Sequence, residues 1–223
     1  MTSMVSEEQS PEIGLIRAAH DSICTKRFVP SNWCMPIEEL HRNVLGAVPS
    51  KLESLRELAN TTLEYTEFYT GFFMDFFEFP AIPTYLSPFA PFIDFANGSA
   101  AIPGLGNTPV VFTHTSDIAK FVAAALELPR WDRGSYIIGD KVTWNEFLKM
   151  AEEAKGGEVT FLPSYDNLLK SIPRQQLASL FAGFGILCHD GSWNFEPENT
   201  LNELFPEIEP MKVKYAMDSI KRN

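Results

Sequence analysis

The apolar positions along the chain alternate between helical spacing and short runs that fit strands. Between residues 13 and 19 the apolar side chains fall roughly on one helical face. The short run Arg27-Phe28-Val29 follows and stops at Pro30-Ser31. This order predicts a helix, a strand and a loop.

A second helix and strand follow in the same order. Apolar residues at helical spacing run through 52–58, and Ser50 with Glu53 matches a capping box that would start this helix. Residues 63–69 then alternate between apolar and polar side chains and are rich in residues that favour strands. The pattern predicts a half-buried strand that Gly71 closes.

The same alternation continues in the second half of the chain. Residues 110–112 fit a short strand, and a helix is predicted to begin at Ser116. Residues 135–138 fit another strand, after which Thr143 and Glu146 form a second capping box. The helix that this box opens should end at the two glycines that follow it.

Alternating strands and helices predict an α/β fold with a mainly parallel sheet. Ligands of such sheets usually bind beyond the carboxyl ends of the strands, and 30–31 and 70–71 occupy such ends. After residue 160 we expect further helices, with loops around Pro163, Pro173 and 183–191.

Charge and composition exclude several classes of partner. The formal net charge is −11, the pI is about 4.8, and no run of lysine or arginine exceeds two residues. Nucleic-acid binding depends mainly on clustered basic side chains, so no nucleic-acid partner is expected. The apolar region 68–95 is interrupted by acidic residues and prolines, which excludes a membrane-spanning helix there.

The cysteines indicate neither a disulfide framework nor a metal site. Cys24, Cys34 and Cys188 are odd in number and far from the spacing of a zinc site. The polar, acidic start of the chain does not resemble a secretory signal. We therefore expect a cytoplasmic protein without a bound metal.

Three motifs, taken in order, resemble one protein family. Residues 25–33 read TKRFVPSNW and are similar to the KRFVPSEW motif of NmrA-like, isoflavone-reductase-type proteins, with Asn32 in place of the common glutamate. Residues 63–66 (LEYT) and 71–76 (GFFMDF) resemble a second family segment, and 113–119 (THTSDIA) resembles a third. The resemblance covers essentially the whole chain.

The resemblance implies an atypical short-chain dehydrogenase. Such proteins have a Rossmann domain that binds NADP(H) and a smaller C-terminal α/β substrate domain, and many fungal members reduce small aromatic or polyketide-type compounds in secondary metabolism. On this basis 1–72 is the remnant of the Rossmann domain, with its leading strands missing. Residues 73–223 form the substrate-binding part, in which 110–139 contributes to the Rossmann sheet.

The family's cofactor loop has no counterpart in this sequence. The domain should open with a strand and a glycine-rich turn, whose backbone amides approach the pyrophosphate. The pairs Gly104/Gly106 and Gly183/Gly185 each lack the third glycine, and we interpret them as a turn and a loop. We therefore expect that this chain alone binds no NADP(H), is inactive, and self-associates through an exposed apolar sheet edge.

The candidate cofactor and catalytic residues follow from the resemblance. Lys51 lies where the family usually has a catalytic lysine, which would contact the ribose and steer proton transfer. Ala47 stands where a short-chain dehydrogenase would have its tyrosine, so a Tyr–Lys pair is excluded. Pro30, Ser31 and Asn32 would line the nicotinamide end. The alternatives are a solvated lysine and a simple turn.

An aromatic segment supplies the candidate substrate residues. Residues 68–95 hold half of the 18 phenylalanines, which suggests a pocket or lid for a small apolar or aromatic substrate. Phe72, Phe73 and Asp75 follow a strand end and are the pocket candidates. His114 could bind substrate and donate a proton, since histidine titrates near neutrality. Core packing and a structural histidine are the alternatives.

Three functions stay open at this level: an NADP(H)-dependent reductase, a truncated and inactive relative of one, and a regulatory protein like NmrA that acts through a protein partner. Lys51 and the aromatic segment favour an enzyme ancestry.

Overall fold

The computed structural model describes residues 11–77, 79, 81–87, 89, 92–94, 99–156, 160–161 and 174–220, and for 94, 99, 160–161 and 174–178 it describes the backbone alone. Within this part the helices are α1 (Glu12–Asp21), α2 (Val48–Ala59), α3 (Thr115–Leu126), α4 (Trp144–Lys155), α5 (Arg174–His189), α6 (Leu201–Leu204) and α7 (Val213–Ile220). Two 3-10 turns cover Glu39–His41 and Met74–Phe76.

The strands are short and lie between these helices. They are β1 (Arg27–Phe28), β2 (Glu64–Tyr65), β3 (Glu67–Tyr69), β4 (Phe72–Phe73), β5 (Ile93–Asp94), β6 (Ser99–Ala100), β7 (Pro109–Thr113), β8 (Gly134–Tyr136), β9 (Asp140–Thr143) and β10 (Thr160–Phe161).

Most strand pairs are parallel, as the sequence predicted. β1 pairs with β2, β3 with β8 and β4 with β7, while β9 lies antiparallel to β7. Because β2, β3 and β4 follow one another, the segment 64–73 pairs in turn with β1, β8 and β7. A separate small sheet has the order β10-β6-β5. The α/β fold class is thereby confirmed, and the division into domains stays a prediction.

The prediction of a half-buried strand at 63–69 is wrong. Glu67, Phe68 and Tyr69 are all buried, because helices and loops cover both faces of this parallel segment. Phe68 packs with α3, whereas its neighbour Tyr69 belongs to a larger cluster that includes residues of α4 and α5. Consecutive side chains of a strand point to opposite faces, so two cores flank the sheet.

The capping box predicted at Ser50 is also wrong. Helix α2 begins two residues earlier, at Val48, with Pro49 in its first turn. The hydroxyl of Ser50 donates to the carbonyl of Ala47 (3.0 Å) and caps no free amide. Proline suits this position because its fixed φ matches a helix and the N–H that it lacks would have no helical partner.

The capping box at Thr143 is confirmed. The Thr143 hydroxyl accepts from the Glu146 amide (3.1 Å), and the Glu146 carboxylate accepts from the Thr143 amide (2.8 Å). Gly156 ends α4 in the left-handed region, with φ of +72°. The start and the end of this helix thus follow from local sequence.

The glycine pair at 183–185 lies in a helix, not in the loop that the sequence suggested. Both glycines belong to α5, and a Cβ at Gly183 would overlap the carbonyl oxygen of Val44. Glycine therefore lets α5 approach the backbone of a neighbouring loop. The pair Gly104/Gly106 does form a turn, with φ of +59° and +69°. The loops predicted around Pro163 and Pro173 lie outside the described residues.

The described residues contain neither a membrane-spanning helix nor a grouping of metal ligands. No described helix is long and apolar enough to span a membrane. No three His, Cys, Asp or Glu side chains in the described ranges are grouped so that they could hold a metal ion.

Candidate active site

The loop that follows β1 is held between two helices. The amide of Ser31 donates to the Glu12 carboxylate of α1 (2.6 Å), and its carbonyl accepts a hydrogen bond from Nζ of Lys51 in α2. Both polar groups of the Ser31 backbone are thus satisfied at the carboxyl end of a parallel strand. Lys51 is partly buried and bonded, so it is not the solvated lysine of the alternative interpretation.

Asn32 joins this loop to the middle of the sheet. Its side chain is 1% exposed, and Nδ2 donates to Oε2 of Glu67 (2.8 Å). Oδ1 of Asn32 is buried and has no hydrogen-bond partner in the described part of the chain. A buried amide oxygen left without a donor costs about 1–3 kcal/mol, so this asparagine is held at some expense of stability.

Glu67 is a buried carboxyl group on β3. In addition to the Asn32 amide, the hydroxyl of Tyr69 donates a hydrogen bond to the Glu67 carboxyl group. Burial raises the pKa of Glu67, and these two hydrogen bonds offset part of that rise. Burial is the main cause that raises the pKa of Tyr69 and of Tyr136, and the neighbouring Glu67 raises both pKa values further. The ring centroids of the two tyrosines lie 4.8 Å apart.

The ammonium group of Lys51 lies among these acidic groups. Burial lowers the pKa of Lys51, while the Cys34 thiol, Glu12 and Glu67 act in the opposite direction. Burial raises the pKa of Cys34 itself. A lysine whose pKa is lowered exchanges its proton more readily near neutral pH, as proton transfer to a substrate requires.

The cluster formed by Glu12, Ser31, Asn32, Lys51 and Glu67 is called the lysine cluster below. The sequence predicted three of its members, and Pro30 lies beside them, where its carbonyl accepts from the Asn32 amide (2.8 Å). Glu12 and Glu67 were missed. A glutamate in a run of aromatic strand residues was the available signal for Glu67, since buried glutamates are rare.

Asp75 and His114 form a second polar group at the start of α3. Oδ2 of Asp75 accepts from the Thr115 amide (2.7 Å), and Oδ1 accepts from the hydroxyls of Thr84 and Thr115. Nδ1 of His114 accepts from the Ser116 amide (3.2 Å), and its Nε2 lies 3.4 Å from Oδ1 of Asp75. These bonds hold the N-terminal end of α3 in place. The substrate-binding roles of Asp75 and His114 stay predictions.

The two candidate pocket phenylalanines differ in their surroundings. Phe72 is 3% exposed and packs in the larger core, where its ring stacks on that of Trp193 with a centroid distance of 4.0 Å. Phe73 is partly buried and lies 5.6 Å from Phe76, whose ring is in turn 5.4 Å from that of Phe89. The partly buried rings 73, 76 and 89 therefore form the more accessible aromatic group.

Comparison with known proteins identifies the family. No family model matches the chain. Oxidoreductase BOA1 of Botryotinia fuckeliana (strain B05.10) is 36% identical over 219 residues, which cover 93% of this chain and 71% of that protein. This chain belongs to the NmrA-like, isoflavone-reductase-type family of oxidoreductases. Oxidoreductase swnN of Arthroderma benhamiae is 28% identical over 153 residues, or 65% of this chain and 47% of that protein.

Solved structures of the same fold support the assignment of the architecture. The complex of AtPrR2 with NADP+ and (+)pinoresinol superposes with a TM-score of 0.72 at 18% identity, over 94% of this chain and 69% of that one. The ternary complex of leucoanthocyanidin reductase from Vitis vinifera gives a TM-score of 0.68 at 19% identity, over 95% and 74% of the two chains. The chain thus has the fold of these reductases.

The residues present fit one end of an NADP(H) molecule. The lysine cluster offers a partly buried ammonium group and a buried amide oxygen that has no partner among the described residues. Both lie beyond the end of β1, where the family resemblance predicts the nicotinamide. The two Gly-x-Gly pairs lie in a turn and inside α5, and neither leads from a strand into the start of a helix. Neither pair therefore forms the glycine-rich turn that would hold the pyrophosphate.

Proposed function

We propose that this chain is the part of an NADP(H)-dependent reductase that faces the nicotinamide and the substrate. Its substrates are small aromatic or polyketide-type compounds of fungal secondary metabolism, and it acts in the cytoplasm. The observation that carries the proposal is the lysine cluster, in which Lys51 is held at the end of a parallel strand with a lowered pKa.

The aromatic character of the substrate rests on two supports. The first is the group of partly buried rings at 73, 76 and 89, which can stack against a flat apolar molecule. The second is the fold shared with AtPrR2, whose complex contains NADP+ and (+)pinoresinol. In this proposal Phe73 contacts substrate, and Asp75 and His114 hold the neighbouring end of α3.

Lys51 is the proposed proton donor. When NADPH is bound it supplies a hydride, and the substrate that receives the hydride gains negative charge. Nζ of Lys51 gives that charge a proton, and burial favours this transfer because it disfavours the charged ammonium form. The Ser31 carbonyl accepts a hydrogen bond from Nζ of Lys51 and so fixes its direction; the neutral amine left after the transfer can still donate to this carbonyl.

We further propose that these 223 residues alone do not turn over NADPH. Anchoring the pyrophosphate normally needs glycines at a strand-to-helix turn, and the glycine pairs of this sequence lie elsewhere. Within the described residues the adenylate half of the cofactor therefore has no glycine-rich turn to hold it. The nicotinamide half keeps its contacts with the lysine cluster.

Calorimetric titration of two probes tests both parts of the proposal. We expect reduced nicotinamide mononucleotide and NADPH to bind with similar, weak affinity, because only the nicotinamide end is recognised. Lys51→Ala should weaken the binding of both probes several-fold, whereas Lys149→Ala, which removes an exposed lysine of α4, should not.

Each other outcome has a defined meaning. If neither probe binds, the reductase proposal fails, and the two other functions take its place: an inactive relative of a reductase, or a regulatory protein that acts through a protein partner. If NADPH binds far more tightly than the mononucleotide, a pyrophosphate site exists and the prediction of inactivity is wrong.

A further inference from the structure

Glu67 is a member of the lysine cluster that the proposed mechanism does not use. It is 8% exposed, it is the first residue of β3, and its carboxyl group binds the side chains of Asn32 and Tyr69. Burying a carboxyl group is costly, and a neutral residue of similar size would pack at this position without that cost. A role in the site would account for its presence.

We propose that Glu67 is a positioning residue for Lys51, acting through the Asn32 amide and through its own charge. The inference rests on the proposed function of Lys51 as the proton donor. Glu67 contacts neither cofactor nor substrate in this proposal.

The first route is a chain of hydrogen bonds. Glu67 holds Nδ2 of Asn32 at 2.8 Å, Asn32 follows Ser31 directly in the chain, and the Ser31 carbonyl receives the Lys51 ammonium group. The position of that carbonyl therefore depends on a bond to β3. Since β3 pairs in parallel with β8, Glu67 ties the loop to a rigid part of the sheet.

The second route is electrostatic. Glu67 favours the charged form of Lys51, and Lys51 favours the charged form of Glu67. The other groups that act on Lys51 are Glu12 of α1 and Cys34 of the loop after β1. Glu12 is bonded to the Ser31 amide, so its position is fixed by the same loop.

The remaining titratable neighbours lie on the other side of Glu67. They are Tyr69 on the same strand and Tyr136 on β8, and Glu38 also acts on Tyr136. Burial raises the pKa of both tyrosines, so it disfavours their negatively charged forms. On this side of the site, Glu67 is therefore the group whose negative charge acts on Lys51.

Competitive acetylation tests the two routes separately. Trace labelling with acetic anhydride over a range of pH, read by mass spectrometry, gives the titration midpoint and the limiting rate of each lysine, with exposed Lys149 as the internal reference. Glu67→Gln keeps an acceptor for the Asn32 amide but removes the charge. Asn32→Ala keeps the charge but removes the bond.

In Glu67→Gln we expect the Lys51 midpoint to fall by about one pH unit, because a nearby opposite charge is lost. In Asn32→Ala we expect the limiting acetylation rate of Lys51 to rise several-fold, because the Ser31 carbonyl no longer holds it. Glu67→Asp should restore most of the midpoint. Glu53→Gln, which removes an exposed charge from the same helix as Lys51, should change neither value.

Two results would overturn the inference: an unchanged Lys51 midpoint in folded Glu67→Gln, or an unchanged limiting rate in Asn32→Ala. If Glu67→Gln does not fold, as judged by circular dichroism, the Asn32→Ala rate decides alone. None of these readings needs bound cofactor. If probe binding fails while both acetylation effects appear, the reductase proposal falls and the coupling between Glu67 and Lys51 stands.

Discussion

At the scale of single residues, the buried carboxyl groups Glu67 and Asp75 carry different tasks. Asp75 accepts hydrogen bonds from the Thr115 amide and from the hydroxyls of Thr84 and Thr115, and Nε2 of His114 lies 3.4 Å from it. These contacts connect it to the start of α3 and to a neighbouring loop. Glu67 instead connects a strand to a loop and a lysine. This difference makes separate predictions possible.

We predict that Asp75→Asn lowers the free energy of unfolding by about 1–3 kcal/mol, because one amide oxygen cannot replace both carboxylate oxygens and its NH₂ group faces a donor. Urea denaturation followed by circular dichroism measures the loss. Asp132→Asn, which changes an exposed aspartate, is the matched control and should have no measurable effect. Equal stability of the two variants would show that the Asp75 contacts contribute little.

The raised pKa of Glu67 predicts a pH dependence of stability. Above its ordinary value of 4.5 the unfolded chain releases this proton while the folded chain still binds it, so stability falls as pH rises through this window. Glu67→Gln removes the effect. We expect the difference in melting temperature between the wild type and Glu67→Gln to favour the wild type more at about pH 5 than at about pH 8. A constant difference would contradict the raised pKa.

At the scale of elements, Gly71 lets the turn between β3 and β4 lie close to the backbone of β7. Its φ is +71°, and a Cβ there would overlap the carbonyl oxygen of Val111 on β7. We predict that Gly71→Ala destabilises the fold by more than about 1 kcal/mol. Gly14→Ala in α1 is the control of opposite sign: no atom lies within 4 Å of the added Cβ, and alanine favours a helix by about 1 kcal/mol. Thermal melts of both variants measure these effects.

Local sequence predicts the start of a helix well where contacts between nearby residues alone determine it. The capping box at Thr143 does start α4, whereas the same pattern at Ser50 starts nothing, because Pro49 and Val48 already lie in the helix. The place of Ser31 and Asn32 after a strand, and the family resemblance for these two and for Lys51, single out three members of the lysine cluster, whose roles stay predictions. Neither Glu12 nor Glu67 is singled out in this way, because their burial depends on α2 and β8, which lie far from them in sequence.

At the scale of the whole molecule, the net charge of −11 opposes association while one edge of the sheet favours it. In the described part of the chain β1 pairs only with β2, so its other edge has free backbone groups. Ile23, which precedes β1, is 90% exposed, and Leu15 on α1 is 64% exposed. An open strand edge and exposed apolar side chains close to it in sequence both favour association between copies of the chain.

We therefore predict that the isolated chain self-associates through the β1 edge, more strongly at high salt, because salt screens the repulsion between acidic copies. Sedimentation velocity at two salt concentrations measures the association. Ile23→Lys should reduce it, since it places a charge beside the edge, whereas Leu105→Lys adds the same charge in the turn 104–106 and should not. A monodisperse monomer with a sharp melting transition would show that the edge is protected. Equal effects of both lysines would attribute the association to net charge instead of this surface.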